Sequence, residues 1–210
     1  DLIERTAYNN DRVVFNSDVL PADLELYRDA AAQGRDLTFI ISATGEQLTV
    51  EDMFAKNNVW LYAIDRFEFA DGTIWTNDSI RLKYIADNTT SSDDTTLGFE
   101  SDDVFYSSLG NDTLTGYSGD DVYYWGSGAG NDVIYDQTLN LNNDNLGDRI
   151  VFEGLNFSDL SFAELNDDLI ITNNNTSETL TVNRQFYTNS SYYIEAFEFA
   201  DGTVFSDADV

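Results

Sequence analysis

The chain has 210 residues, enough for one or two domains with a real core, and sets 39 acidic against 10 basic residues for a net charge of −29. That surplus repels nucleic-acid phosphate and anionic membrane surfaces, so nucleic acid and membrane insertion are not expected, and no apolar run is long enough to span a bilayer. With no Cys and no His, disulfides, thiolate metal sites, the commonest zinc ligand and the commonest general base are all excluded.

Aspartate supplies 28 of the acids, and it forms turns and metal sites better than helices or strands. An apolar content of 42% and an aromatic content of 14% argue for folded protein. Residues 1–10 read as the end of a repeat: Asp1-Leu2-Ile3 matches Asp132-Val133-Ile134 further on. On that phase the chain is expected to be about one and a half units of a tandem array, so neighbouring repeats are expected partners.

Residues 11–76 form a β-rich segment that recurs at 148–206. Asp11-Arg12-Val13-Val14-Phe15 returns as Asp148-Arg149-Ile150-Val151-Phe152, and the string FEFADGT occurs at Phe67–Thr73 and at Phe197–Thr203. Each copy predicts four or so short strands. The first is the Asp-Arg string. The second centres on Leu37–Ser42 or Leu169–Thr172, and the third on Gln47–Val50 or Thr179–Val182. The last is a hairpin at Asp71-Gly72 or Asp201-Gly202, a pair favoured in type I′ turns. Helical turns are expected at Pro21–Leu24 and Phe157–Leu160, and a short helix at Glu51–Asn57 and Asn183–Asn189. Residues 77–88 and 137–147 read as linkers.

Residues 89–136 carry a beat. Asp94, Asp103, Asp112, Asp121 and Asp132 follow one another at nine, nine, nine and eleven residues, the last gap holding the insertion Trp125-Gly126. The clearest lines are GYSGDDVYY (Gly116–Tyr124) and SGAGNDVIY (Ser127–Tyr135), whereas Thr89–Leu97 has no glycine. Six residues turn and three run as a strand, which describes a parallel β-roll. Turns alternate between two edges, so Asp103 and Asp121 share one edge while Asp94, Asp112 and Asp132 share the other. Thr96, Phe105, Leu114, Tyr123 and Ile134 point inward. Val104, Tyr106, Val122 and Tyr124 point outward and are apolar enough to predict a covering surface.

Calcium takes six to eight oxygens, and an aspartate in a tight turn offers carboxylate and backbone carbonyl together. The candidate metal set is Asp94, Asp102, Asp103, Gly110, Asn111, Asp112, Gly119, Asp120, Asp121, Gly130, Asn131 and Asp132. The carboxylate pairs Asp102-Asp103, Asp120-Asp121 and Asp167-Asp168 could do acid–base work. Without His, Cys or a nucleophile motif they read better as ligand and turn residues, and no enzyme activity is expected. Tyr123-Tyr124-Trp125 and Tyr192-Tyr193 could stack on sugars, though aromatics in a β protein more often serve packing.

The beat at Thr89–Tyr135 resembles the RTX, or haemolysin-type, calcium-binding repeats. The FADGT segments resemble the haemolysin-type calcium-binding protein-related domain, across about residues 11–76 and 148–206. The resemblance implies an all-β fold, a short calcium-binding parallel β-roll flanked by two homologous small β-rich cap domains. It also implies Ca2+ as the ligand, type I secretion by a Gram-negative bacterium and folding outside the cell. A structural module of a large secreted or surface protein is the first reading. A calcium-folded tail of a secreted enzyme and a calcium-dependent glycan-binding module, with a glycan or surface partner, are the others.

Overall fold

The computed structural model describes residues 11–29, 35–54, 64–136, 147–188 and 194–210. The Asp1 rung and the Tyr192-Tyr193 pair lie outside them. The chain forms two compact units, 1–87 and 88–210.

In the first unit, β1 (Arg12–Val14) runs parallel to β5 (Arg66–Glu68), which turns back into β6 (Ile74–Thr76). A separate antiparallel meander holds β2 (Leu24–Tyr27), β3 (Leu37–Ile41) and β4 (Gln47–Val50). Leu24 and Leu26 alternate with exposed neighbours along β2, so one face of the strand is buried. The aromatic core joins Phe39 to Phe67 at 4.6 Å, and Phe69 to Phe15 and to Trp75 at 4.8 Å each.

The stretch 77–88 is not a linker. Asn77–Asp87 is a helix, α1. Its signal is Thr76-x-x-Ser79: the Ser79 amide donates to Thr76 Oγ1 (3.3 Å) and the Thr76 amide donates to Ser79 Oγ (2.8 Å), a reciprocal cap. The helix buries Ile80, Tyr84 and Ile85.

The second unit contains the roll. One sheet has the order β17 (Val204–Ser206), β16 (Ala196–Glu198), β12 (Arg149–Glu153), β10 (Val122–Gly126), β8 (Val104–Tyr106), and the other β13 (Leu160–Leu165), β14 (Asp168–Asn173), β15 (Thr179–Val182), β11 (Asp132–Tyr135), β9 (Thr113–Thr115), β7 (Thr95–Leu97). The roll strands are β7 (Thr95–Leu97), β8 (Val104–Tyr106), β9 (Thr113–Thr115), β10 (Val122–Gly126) and β11 (Asp132–Tyr135). They alternate between the sheets, with Val104 opposite Val122 and Thr113 opposite Val133, all parallel. The inward stack is as expected, with Thr96, Phe105, Leu114, Tyr123 and Ile134 all buried. The polar first member is satisfied, because Thr96 Oγ1 donates to the Asn88 carbonyl (2.8 Å). Phe105 and Tyr123 stack face to face at 5.0 Å.

A cap set apart from the roll by 137–147 is not what the sheets show. β12 (Arg149–Glu153) pairs parallel with β10, and β16 (Ala196–Glu198) with β12. β15 (Thr179–Val182) pairs parallel with β11, and β14 (Asp168–Asn173) and β13 (Leu160–Leu165) follow antiparallel. The second related segment therefore extends both sheets of the roll. An open parallel sheet exposes a row of unpaired backbone groups, and these added strands cover it.

The duplication holds in three dimensions: β1–β5–β6 and β12–β16–β17 (Val204–Ser206) repeat the same pairing. The expected helical turns exist as single 3-10 turns at Pro21–Asp23 and Phe157–Asp159. The expected helix after the third strand is a turn wherever it is described, at 51–54 and 183–186. The Asp-Gly hairpins are not type I′, which needs positive φ at both residues. Only Gly72 (φ 91°) and Gly202 (φ 84°) are left-handed, and the Gly72 amide donates to Phe69 across a longer loop. Asp71 Oδ1 accepts the Thr73 amide (2.8 Å), which holds the aspartate in the turn.

Of the four outward residues, Val122 is buried, Val104 and Tyr124 are half-buried and Tyr106 is 56% exposed. Tyr106 and Tyr124 stack on each other at 4.7 Å, so part of the cover is the neighbouring rung.

Candidate metal centre

Each rung places its sixth residue, an aspartate, just before or at the start of its strand. The two edges carry the sets foreseen. On one, the Asp94 amide donates to Asp112 Oδ1 (2.9 Å) and the Asp112 amide to Asp132 Oδ1 (2.8 Å). On the other, the Asp103 amide donates to Asp121 Oδ1 (2.8 Å). That second ladder continues past the repeat: the Asp121 amide donates to Asp148 Oδ1 (2.7 Å), and the Asp148 amide to Glu195 Oε2 (2.8 Å).

One oxygen of the Asp112, Asp121, Asp132 and Asp148 carboxylates thus ties two rungs, and the Oδ2 atoms of Asp94, Asp103, Asp112 and Asp132 turn inward to partners of their own rung or the one before. Asp94 Oδ2 accepts from Thr90, Asp103 Oδ2 from the Phe99 amide and Asp112 Oδ2 from Ser108 Oγ (3.0 Å). Asp132 Oδ2 accepts from the Trp125 indole (3.0 Å). The inserted Trp125 therefore lies in the core, where it serves the carboxylate. Asp121 Oδ2 is fully buried and accepts nothing.

The fifth residues form an outer row. The Asn111 amide donates to Asp93 Oδ1 (2.8 Å), the Asn131 amide to Asn111 Oδ1 (3.0 Å) and the Asp120 amide to Asp102 Oδ1 (3.0 Å). Asp102, Asn111, Asp120 and Asn131 are exposed or nearly so, and they staple turn to turn.

The fourth residues explain the glycines. A Cβ on Gly119 would lie 2.4 Å from Ser101 carbon, and one on Gly130 would lie 1.6 Å from the Gly110 carbonyl oxygen. Turns two rungs apart are that close. Gly110 likewise rests on Ser92. Ser92 and Ser101 are the first of each stack among the described residues, with no described turn beneath. Serine rather than glycine stands at the fourth position of the first two lines because no described turn presses on it there.

Burial moves protonation equilibria in the metal-free protein. Asp132 is pushed up to about 7, chiefly by burial. Glu195 is pushed up to about 8, by burial and then by the Asp148 charge. Asp121 is raised, first by burial and then by the charges of Asp136, Asp103 and Asp148. These folded pKa values exceed the unfolded ones, so the folded state binds more protons between them and stability falls as pH rises from about 4 through about 8. In EDTA, thermal melts should drop from pH 5 to pH 8. Calcium competes with those protons, so the gain from calcium should be larger at pH 8 than at pH 5. A metal-free melt that rises with pH would contradict this.

The residues fit a hard cation: the ligand atoms are oxygens only, no thiol exists, and buried carboxylate oxygens, Asp121 Oδ2 among them, accept no hydrogen bond. Asp148, Asp136 and Glu195 were not in the candidate set. Asp148 carried no usable signal: it stands 27 residues after Asp121, and three beats of nine would put it on the opposite edge, yet it continues the Asp121 ladder. Asp136 and Glu195 had none, because only the folded sheets bring them near.

Family models match the same segments. The RTX calcium-binding nonapeptide repeat matches residues 97–134, and the haemolysin-type calcium binding protein related domain matches residues 36–79 and 168–209. The chain is an RTX calcium-binding repeat protein. RTX nonapeptide repeats bind Ca2+, so calcium is the ligand of this roll. No curated protein matches. Among solved structures, the extracellular lipase LipA from Serratia marcescens is similar over 80% of this chain, at 17% identity and a TM-score of 0.23. This RTX chain spans 29% of the lipase chain, and nothing is rested on that likeness.

Proposed function

We propose that this chain is a calcium-stiffened structural module of a large secreted or cell-surface protein, such as an adhesin, surface-layer or filament component, exported from a Gram-negative cell and folded outside it. The observation that carries this reading is the pair of carboxylate ladders, which stack acidic side chains rung on rung along both edges of the roll. Stacked negative charge opposes folding until cations arrive, so low calcium keeps the chain open and millimolar calcium closes it. The turn aspartates Asp94, Asp103, Asp112, Asp121 and Asp132 supply carboxylates, and the turns at Gly110, Gly119 and Gly130 supply backbone oxygen. Asp102, Asn111, Asp120 and Asn131 hold the turns in register. No residue of the roll is assigned a catalytic role.

A load-bearing role is read most directly by single-molecule stretching of the chain between two handles. Unfolding in 10 mM calcium should need a clearly higher force than in EDTA. Equal forces in both would remove the stiffening role.

A further inference from the structure

We propose that Asp121, Asp136 and Asp148 form a buried divalent-cation site at the seam between the roll and the second related segment, taking calcium through three carboxylates. The proposal rests on reading the chain as a calcium module, and adds a site that shares Asp121 with the turns but takes Asp136 and Asp148 from beyond the repeat set. Asp121 precedes β10, Asp136 follows β11 and Asp148 precedes β12. All three side chains are buried, with 0%, 1% and 0% exposure in that order. One oxygen from each lies within 4.8 Å of the others. Two ligands on opposite sides of a calcium ion stand about 5 Å apart, so the three oxygens can share one ion.

The second observation is Asp121 Oδ2, fully buried and without a donor. It packs against the backbone of residue 116, where only glycine leaves it room. A Cβ there would lie 2.2 Å from Asp121 Oδ2 and 2.2 Å from the Tyr123 hydroxyl. That hydroxyl donates to Asp136 Oδ2 (2.9 Å) and so orients the second carboxylate, while Asp148 Oδ1 is held by the Asp121 amide (2.7 Å). Arg149, adjacent in sequence, pairs with Glu198 at 3.6 Å instead. Buried carboxylates crowded together are costly unless paired or bound to metal. An ion here bridges β10, β11 and β12, and so locks the related segment to the roll.

Two measurements test it. The wild-type protein is crystallised in 10 mM calcium, and long-wavelength anomalous scattering locates the ions. Native mass spectrometry then counts calcium on wild type and on Asp136→Asn, which keeps the side-chain shape. The expected result is an anomalous peak bounded by the three carboxylates and the loss of one ion, the rest retained, in the variant. Peaks at the turn aspartates with none at the seam, or an unchanged count in a folded variant, overturn the seam site and leave the calcium module standing. No bound calcium anywhere in the wild type overturns both. If Asp136→Asn does not fold, the wild-type map decides alone.

Discussion

Stripping calcium should collapse the thermal stability of this protein. The cause is electrostatic: Asp103, Asp121, Asp112 and Asp132 are all buried, and they form two stacks with their neighbours on a chain of net charge −29. Each ion bound at a hundred times its Kd adds about 2.7 kcal/mol. For a chain of this size 1 kcal/mol moves Tm by about 2–4 °C, so two sites are worth roughly 15 °C. A circular-dichroism melt in EDTA and then in 5–10 mM calcium, with magnesium as control, reads this directly. Magnesium demands tighter octahedral geometry and sheds water reluctantly, so it should recover little of the loss. Coincident curves in EDTA and calcium would mean that the ladders stand without metal.

Replacing Gly130 by alanine should be the most damaging single methyl in the roll. The added carbon would sit 1.6 Å from the Gly110 carbonyl oxygen, and backbone cannot swing aside as a side-chain tip can. Gly130 also has φ +95°, where an L residue is strained. The two effects together place the loss at about 4 kcal/mol or more, in the range reserved for named structural failures. Gly154→Ala is the control. Gly154 has φ +68° with nothing within 4 Å, so alanine there meets the strain alone and costs about 1 kcal/mol. Equal losses at the two positions, measured by urea unfolding in calcium, would refute the close stacking of turns.

Much of this was legible in the residues. The nine-residue beat placed the aspartates on their edges and Phe105, Leu114, Tyr123 and Ile134 inside, because a strand alternates its faces strictly. The strands Gln47–Val50 and Thr179–Val182 were read to the residue. What was missed lies in partners far apart in sequence. Nothing local to Asp148 announces that it continues the ladder from Asp121, or that β12 and β15 would extend the roll rather than cap it at a distance. Helix α1 was missed for a different reason: its capping pair Thr76–Ser79 follows directly on a strand, and its apolar face is thin. The Asp-Gly turns were misassigned because the dipeptide also serves longer loops, in which only the glycine needs positive φ.

Calorimetric titration of metal-free protein with calcium tests the central claim most directly. The account predicts saturable binding of about two to four ions per chain, coupled to the gain of β structure and released by EDTA. Absence of saturable heat, with the far-ultraviolet spectrum unchanged throughout, would contradict it.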